Sequence, residues 1–168
     1  NQNYTLALGN GSLTITQRPL TVSAVGQNRA YDGSTVASVS FTDNRVFGDT
    51  LTVTNSTASF ADKNVGTGKT VSVGGISLTG ASAANYSFNT TASTSADITA
   101  RPLTVSASGQ NRVYDGTTAA TVTLGDNRIS GDVLTLASTS ASFADKNVGT
   151  GKTVSVTGIS LSGTDAAN

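Results

Sequence analysis

Arg18-Pro19-Leu20-Thr21-Val22-Ser23-Ala24 places Leu20, Val22 and Ala24 on one side of an extended chain and Thr21 and Ser23 on the other. That is the period-two pattern of a half-buried strand. The same seven residues return as Arg101-Pro102-Leu103-Thr104-Val105-Ser106-Ala107, 83 residues later. The offset carries Tyr31-Asp32-Gly33 onto Tyr114-Asp115-Gly116 and Ser59 through Gly66 onto Ser142 through Gly149. It still holds at Ala84-Asn85 against Ala167-Asn168, with no insertion between. A fixed period is the mark of tandem modules, so the fold question reduces to one unit read twice.

The unit reads as β structure throughout. Ala37, Val39 and Phe41 alternate with serine; Val71 and Val73 flank Ser72, Ile76 and Leu78 flank Ser77, and Tyr86 and Phe88 flank Ser87. The second copy repeats the pattern at Ala120 and Val122, Val154 and Val156, and Ile159 and Leu161. There is no Glu among the ten acidic residues and only four of the ten basic ones are Lys, so the exposed face of a helix has few good candidates. Thr and Val favour strands, while Gly, Asn and Asp favour the turns between them. The expected fold is all-β: two tandem, small, sandwich-like (Ig-like) modules of about seven short strands each, in an elongated rod. The alternative is a β-grasp-like unit with one short helix, for which Ala81–Ala84 and Thr164–Ala167 are the best single turns. A unit this short buries a modest core. Tyr31, Phe41, Phe47, Phe60, Tyr86 and Phe88 are its expected anchors, and stability should be marginal to moderate.

The repeat has an informative phase. Asn85-Tyr86-Ser87-Phe88 leads through Ile98-Thr99-Ala100 into Arg101-Pro102, and Asn3-Tyr4-Thr5-Leu6 leads through Ile15-Thr16-Gln17 into Arg18-Pro19. Residues 1–17 therefore read as the closing strand of a preceding repeat, 18–100 as the first repeat, and 101–168 as a second repeat lacking its last strand. The unmatched edge is expected to offer itself for pairing with another chain.

Tyr31-Asp32-Gly33 and Tyr114-Asp115-Gly116 are the most distinctive motifs. Asp-Gly between strands is a hairpin signal, and the tyrosine should pack inward with its hydroxyl hydrogen-bonded. Both tripeptides are read as structural turns. Val65-Gly66-Thr67-Gly68-Lys69-Thr70 has part of a phosphate-binding loop, but Lys63 stands where the first Gly is needed and Val71-Ser72-Val73 continues as a strand. Without helix N-terminal amides there is no phosphate cradle, and the segment is read as a hairpin turn. Asp43-Asn44-Arg45 with Gly48-Asp49, repeated as Asp126-Asn127-Arg128 with Gly131-Asp132, is oxygen-rich as calcium loops are, yet an arginine sits inside it. A turn closed by its Asp and Asn side chains is the simpler expectation. Lys63 and Lys69, near Asp62 and Asn64, raise the thought of a Lys–Asn isopeptide, but the buried carboxylate it requires has no obvious source. A solvated charged loop is expected there. The glycosylation-like triplets at Asn3, Asn10, Asn55, Asn85 and Asn89 are what chance gives in so Asn- and Thr-rich a chain.

Composition narrows the function. Net charge is zero, which removes the electrostatic case for a nucleic-acid partner, and no apolar run is long enough for direct membrane insertion. With no His and no Cys, neither a Ser-His nor a Cys-His nucleophile pair exists, and the imidazole and thiolate ligands of zinc are missing. No catalytic, cofactor-binding or metal-ligating residue is assigned, and an enzyme is not expected.

The ordered set Arg-Pro-Leu-Thr-Val, Tyr-Asp-Gly, Gly-Asp, Asp-Lys-Asn-Val-Gly-Thr-Gly-Lys, Gly-Ile-Ser-Leu and Ala-Ala-Asn-Tyr resembles the YDG domain repeats of large bacterial exoproteins, many of them filamentous-haemagglutinin-like adhesins exported by two-partner secretion. It spans almost the whole chain and departs only at Asn168, which has no Tyr after it. The resemblance implies an extracellular, secreted or surface-anchored protein in which such repeats form a stalk contributing to cell adhesion or biofilm. It implies neighbouring repeats as partners, and no binding residues to carry over. The alternatives are a module binding matrix polysaccharide or a host surface protein, and self-association through sheet edges. The 168 residues on their own are expected to be monomeric.

Overall fold

A computed structural model describes residues 3–4 and 7–168. The first copy carries ten short strands: β1 (Arg18–Leu20), β2 (Val22–Gly26), β3 (Arg29–Ala30), β4 (Val39–Asp43), β5 (Thr52–Thr54), β6 (Thr57–Phe60), β7 (Gly66–Gly74), β8 (Ser77–Thr79), β9 (Tyr86–Phe88) and β10 (Thr91–Thr99). Three antiparallel ribbons, β2–β4, β5–β8 and β6–β7, follow from the local alternation. The last two strands tie them together. β9 pairs parallel with β1, and β10 pairs antiparallel with β7 and parallel with β3, making the four-stranded order β3-β10-β7-β6.

β10 is the centre of the module. Its Ile98 (1% exposed) and Ala96 meet Val71 and Val73 of β7 and Leu20 and Val22 of the opposite layer in one buried cluster with Tyr31, Phe60 and Tyr86. The layers touch closely at Gly26, where an added Cβ would lie 2.7 Å from the Ser95 carbonyl oxygen. Asn89, just before β10, stands in for a peptide group: its Oδ1 accepts from Val22 N (2.8 Å) and its Nδ2 donates to Val22 O (3.0 Å) and Thr91 O (2.8 Å). Asn89→Ala leaves the Val22 amide and carbonyl unpaired beside the core. It is expected to destabilise the first module by about 1–3 kcal/mol, read as a lower denaturant midpoint.

The second copy keeps the ribbons and their registers. They are formed by β11 (Val105–Gly109) with β12 (Val122–Asp126), β13 (Thr135–Ala137) with β16 (Ser160–Ser162), and β14 (Ser140–Phe143) with β15 (Val154–Thr157). Even the isolated bridge Val36–Ser59 recurs as Ala119–Ser142. Counterparts of β1, β3 and the first half of β7 do not form. Those pieces pair only with β9 or β10 in the first copy, and no counterpart of β9 or β10 forms among the described residues. The buried cluster accordingly lies wholly between Leu20 and Ile98, and no described residue of the second copy is buried.

The all-β reading with two tandem modules stands. The details shift where pairing partners, not side-chain alternation, decide the outcome. Leu20 to Ala24 is two strands, because β1 pairs with β9 and β2 with β4. The strand expected from Ala37 begins at Val39, although Ala37 is buried. The helical turn is a single 3₁₀ turn at Ala83–Asn85 and hydrogen-bonded turns alone around Ala166, so the β-grasp alternative has no helix among the described residues. Phe47 is not a core anchor but fully exposed, and Phe41 and Phe88 are only partly buried. Of the closing strand expected in residues 1–17, Asn1, Gln2, Thr5 and Leu6 lie outside the described residues; the described residues up to Gln17 form no strand, and Tyr4, Leu8, Leu13 and Ile15 are exposed.

Candidate functional site: the clasp between modules

The two Tyr-Asp-Gly turns share one local build. Asp32 Oδ1 accepts from Ser34 N (2.8 Å) and Ser34 Oγ (2.9 Å), while Gly33 takes a φ of 78°. Asp115 does the same with Thr117 N and Oγ1 (2.9 Å each), and Gly116 has a φ of 79°. This is an Asx turn, not the expected hairpin: β3, which leads into it, pairs with β10 and not with the strand that follows. Arg29 pairs with Asp32 and lies over the Phe60 ring at 5.1 Å; Arg112 pairs with Asp115 (2.5 Å) and lies over Phe143 at 5.3 Å. The backbone amides of Ser34 and Thr117, first among several donors, hold the Asp32 and Asp115 carboxyls below the usual carboxylate range.

The tyrosines then diverge. Tyr31 is 3% exposed and Tyr114 is 58% exposed. Tyr31 is covered both by β10, whose Thr99 O accepts from Tyr31 N (2.9 Å), and by the neighbouring module; no described residue covers Tyr114 in either way. Tyr31 donates its hydroxyl to Asp132 Oδ1 at 2.6 Å, across 101 residues of sequence. Beside it, Lys63 Nζ sits 2.8 Å from Asp165 and 3.2 Å from Asp132, and 5.7 Å from the Tyr31 ring centroid. Val65 N donates to Asn168 Oδ1 (3.0 Å), and Arg101 N donates to Asn168 O (2.8 Å). Ile129 of the second module packs on the first module's core, in the space left by Gly33, whose Cβ would fall 2.9 Å from Ile129 Cγ2. The turn of one module is thus a socket for the next.

The charges in the clasp reinforce each other. Lys63 is held well above its ordinary value, first by Asp165 and then by the Tyr31 hydroxyl. Asp165 is held below its ordinary value, chiefly by Lys63. Burial, with Asp132 beside it, pushes the Tyr31 hydroxyl up, so it stays a donor.

The other candidate motifs are otherwise engaged. Arg45 forks onto Asp43 (Nε–Oδ1 2.8 Å, Nη2–Oδ2 2.6 Å) and reaches Leu51 O (2.7 Å); Arg128 repeats this on Asp126 and Leu134 O. The carboxylate oxygens considered for calcium are thereby taken by a guanidinium, and Asp49 accepts from Tyr86 and Ser82 hydroxyls. The turn is closed locally by Asp43 and Asp126, whose Oδ1 atoms accept from Arg45 N (3.1 Å) and Arg128 N (2.9 Å), whereas Asn44 and Asn127 tie it to the chain 23 residues earlier, accepting from Thr21 N and Thr104 N (2.8 Å each). Among the described residues no three His, Cys, Asp or Glu side chains converge as a metal site would need. Gly66–Thr70, read as a hairpin turn, is instead the first half of β7, paired with β10; the turn lies at 61–64. Lys69 pairs with Asp62 (2.5 Å). Lys63, read as part of a solvated loop, is the centre of the clasp. The one sequence sign of it is that Asp165 stands where the first copy has Ser82.

No characterised protein and no solved structure matches the chain. The family model for the YDG domain matches it twice, at residues 16–95 and 99–168. The Tyr-Asp-Gly turns at Tyr31 and Tyr114 fall one in each match, and the chain belongs to the YDG domain family, as two tandem copies.

Proposed function

We propose that these modules are spacer units of a stalk in a secreted or surface-anchored bacterial adhesin, holding a binding region away from its base and so contributing to adhesion or biofilm, with no catalytic role. The observation that supports this reading is the clasp. It joins the modules through Tyr31, Lys63 and Val65 on one side and Ile129, Asp132, Asp165 and Asn168 on the other, with only Ala100 between the end of β10 and Arg101. A junction that combines a buried aromatic, an ion pair and a backbone amide held by a side chain across it resists bending as a flexible linker does not.

The test reads the junction directly. The chain has no cysteine, so Thr52→Cys and Thr135→Cys place one spin label at equivalent exposed positions of each module. A narrow distance distribution is expected at pH 7, broadening in Lys63→Ala. The carboxylate contribution of Asp165 is present above its unfolded value of about 3.9 and lost as pH falls through its lower folded value. The Lys63 contribution is present below about 10.4 and lost as pH rises through its higher folded value. The distribution should therefore stay narrow from about pH 4 to 10. Because acid also strips the Arg45–Asp43 fork, the neutral-pH variant separates clasp opening from module unfolding. A broad distribution in the parent chain at pH 7, or specific retention of the chain on a polysaccharide array, would sink the spacer reading.

A further inference from the structure

Residues 18–31, where the first module begins, run alongside residues 86–99, where it ends, and in the same direction. Arg18 pairs with Tyr86 and Leu20 with Phe88 in β1–β9; Arg29 pairs with Ile98 and Ala30 with Thr99 in β3–β10. Side chains bridge the stretch between these two parallel pairs, where the ladder of β2 is turned to β4. Val22 N donates to Asn89 Oδ1 (2.8 Å) and Gly26 N to Thr94 Oγ1 (3.3 Å). Asp97 N donates to Asn28 Oδ1 (2.7 Å), and Asn28 Nδ2 donates back to Asp97 Oδ2 (3.3 Å). Tyr31 N donates to Thr99 O (2.9 Å) at the far end. The side-chain links keep an offset of 67 to 69 residues, so one continuous parallel seam joins the two segments.

The direction of the seam sets how it meets a pull. The chain enters the module at Arg18, beside Tyr86, and leaves it at Thr99, beside Ala30. Entry and exit therefore lie at opposite ends of the seam, roughly 40 Å of extended chain apart at about 3.3 Å per residue. Tension along the chain draws the two segments past each other and loads every rung at once. Had they paired antiparallel, entry and exit would share one end and the rungs would open in turn. The flanks of the seam are backed as well. β2 is held along its length by β4, and β10 by β7, so neither segment slips without breaking a second ladder. Leu20 and Val22 on one segment and Ala96 and Ile98 on the other share the buried cluster, which sliding would open to water.

We propose that the first module is a tension-bearing unit, whose parallel seam between its first and last segments resists a pull along the chain by shear. This deepens the spacer reading and rests on it for its use, since a stalk is stretched whenever the two things it separates are drawn apart. The clasp resists bending between modules; the seam resists extension within one.

Single-molecule pulling on the 168-residue chain tests it. The chain has no cysteine, so handles attach at cysteines introduced at exposed positions. Thr16→Cys with Ala100→Cys pulls the seam from its opposite ends. Thr35→Cys with Ala100→Cys pulls at its far end alone, so the same rungs open in turn. Forced unfolding is governed by the unfolding barrier, and at one loading rate the first geometry is expected to hold to a severalfold higher force. Asn28→Ala removes an exposed side-chain rung and should lower the end-to-end force by more than the spread among parent molecules. Val53→Ala trims the β5–β8 ribbon, off the path of the force, and should lower the denaturant midpoint while leaving the end-to-end force unchanged. Equal forces in the two geometries, an end-to-end force indifferent to Asn28→Ala, or one that falls equally with Val53→Ala overturns the proposal. The spin-label distances report the junction and not the seam, so a weak seam beside a stiff junction removes the tension-bearing role and leaves the spacer reading standing.

Discussion

Tyr31→Ala is expected to cost the first module about 3–4 kcal/mol, while Tyr114→Ala, the same change in the same tripeptide, should move stability by less than about 0.5 kcal/mol. Tyr31 fills the end of the buried cluster and donates to Asp132; removing it leaves a cavity against Ile129 and loosens the second module as well. Tyr114 has 58% of its surface in solvent and lies outside the buried cluster. Tyr31→Phe separates the two parts of the effect. Its ring still fills the core, so only the bond to the Asp132 carboxylate is lost, for about 1–2 kcal/mol. Thermal unfolding followed by circular dichroism ranks the three variants. Equal losses for Tyr31→Ala and Tyr114→Ala would show that the turn itself, and not the socket, is what the tyrosine serves.

Ile98→Ala should cost about 3 kcal/mol and remove slow-exchanging amides from β3, β7 and β10 together. Ile98 is 1% exposed near the end of β10, where that strand pairs with both β3 and β7. The second copy displays the same ribbons without that strand: registers kept, β1 and β3 counterparts absent, nothing buried. Amide exchange in β11–β16 is accordingly expected to be fast in the parent chain and little changed by Ile98→Ala. A second copy as protected as the first would contradict the account of β10 given above.

The ribbons were legible in the sequence because they are local. Apolar alternation around Ala24, Phe41 and Val73, separated by Gly and Asn turns, dictates hairpin-like pairs that both copies form in one register. The parallel pairs β1–β9 and β3–β10 were not, since residues about 70 apart meet with nothing in either segment naming its partner. For the same reason Asp-Gly reads as a hairpin in the sequence: its conformation is a property of Gly33, whereas what the turn joins is a property of β10. In the clasp, Tyr31 was visible as an inward aromatic, but its acceptor lies in the other module. Lys63 looked like any lysine in a polar loop, because a salt bridge between modules leaves no periodicity behind.

The position of β10 at the end of its module has a kinetic side. Val22 meets Asn89, Gly26 meets Thr94 and Asn28 meets Asp97, links spanning 67 to 69 residues. A module whose closing contacts join its first strands to its last has a high contact order and folds slowly for its size. Delivered from its N-terminus, as in synthesis or passage through a pore, it cannot close until almost all of it has emerged. A chain delivered in that order therefore holds at most short ribbons, which unravel easily, until its last strands arrive, and closes one module at a time.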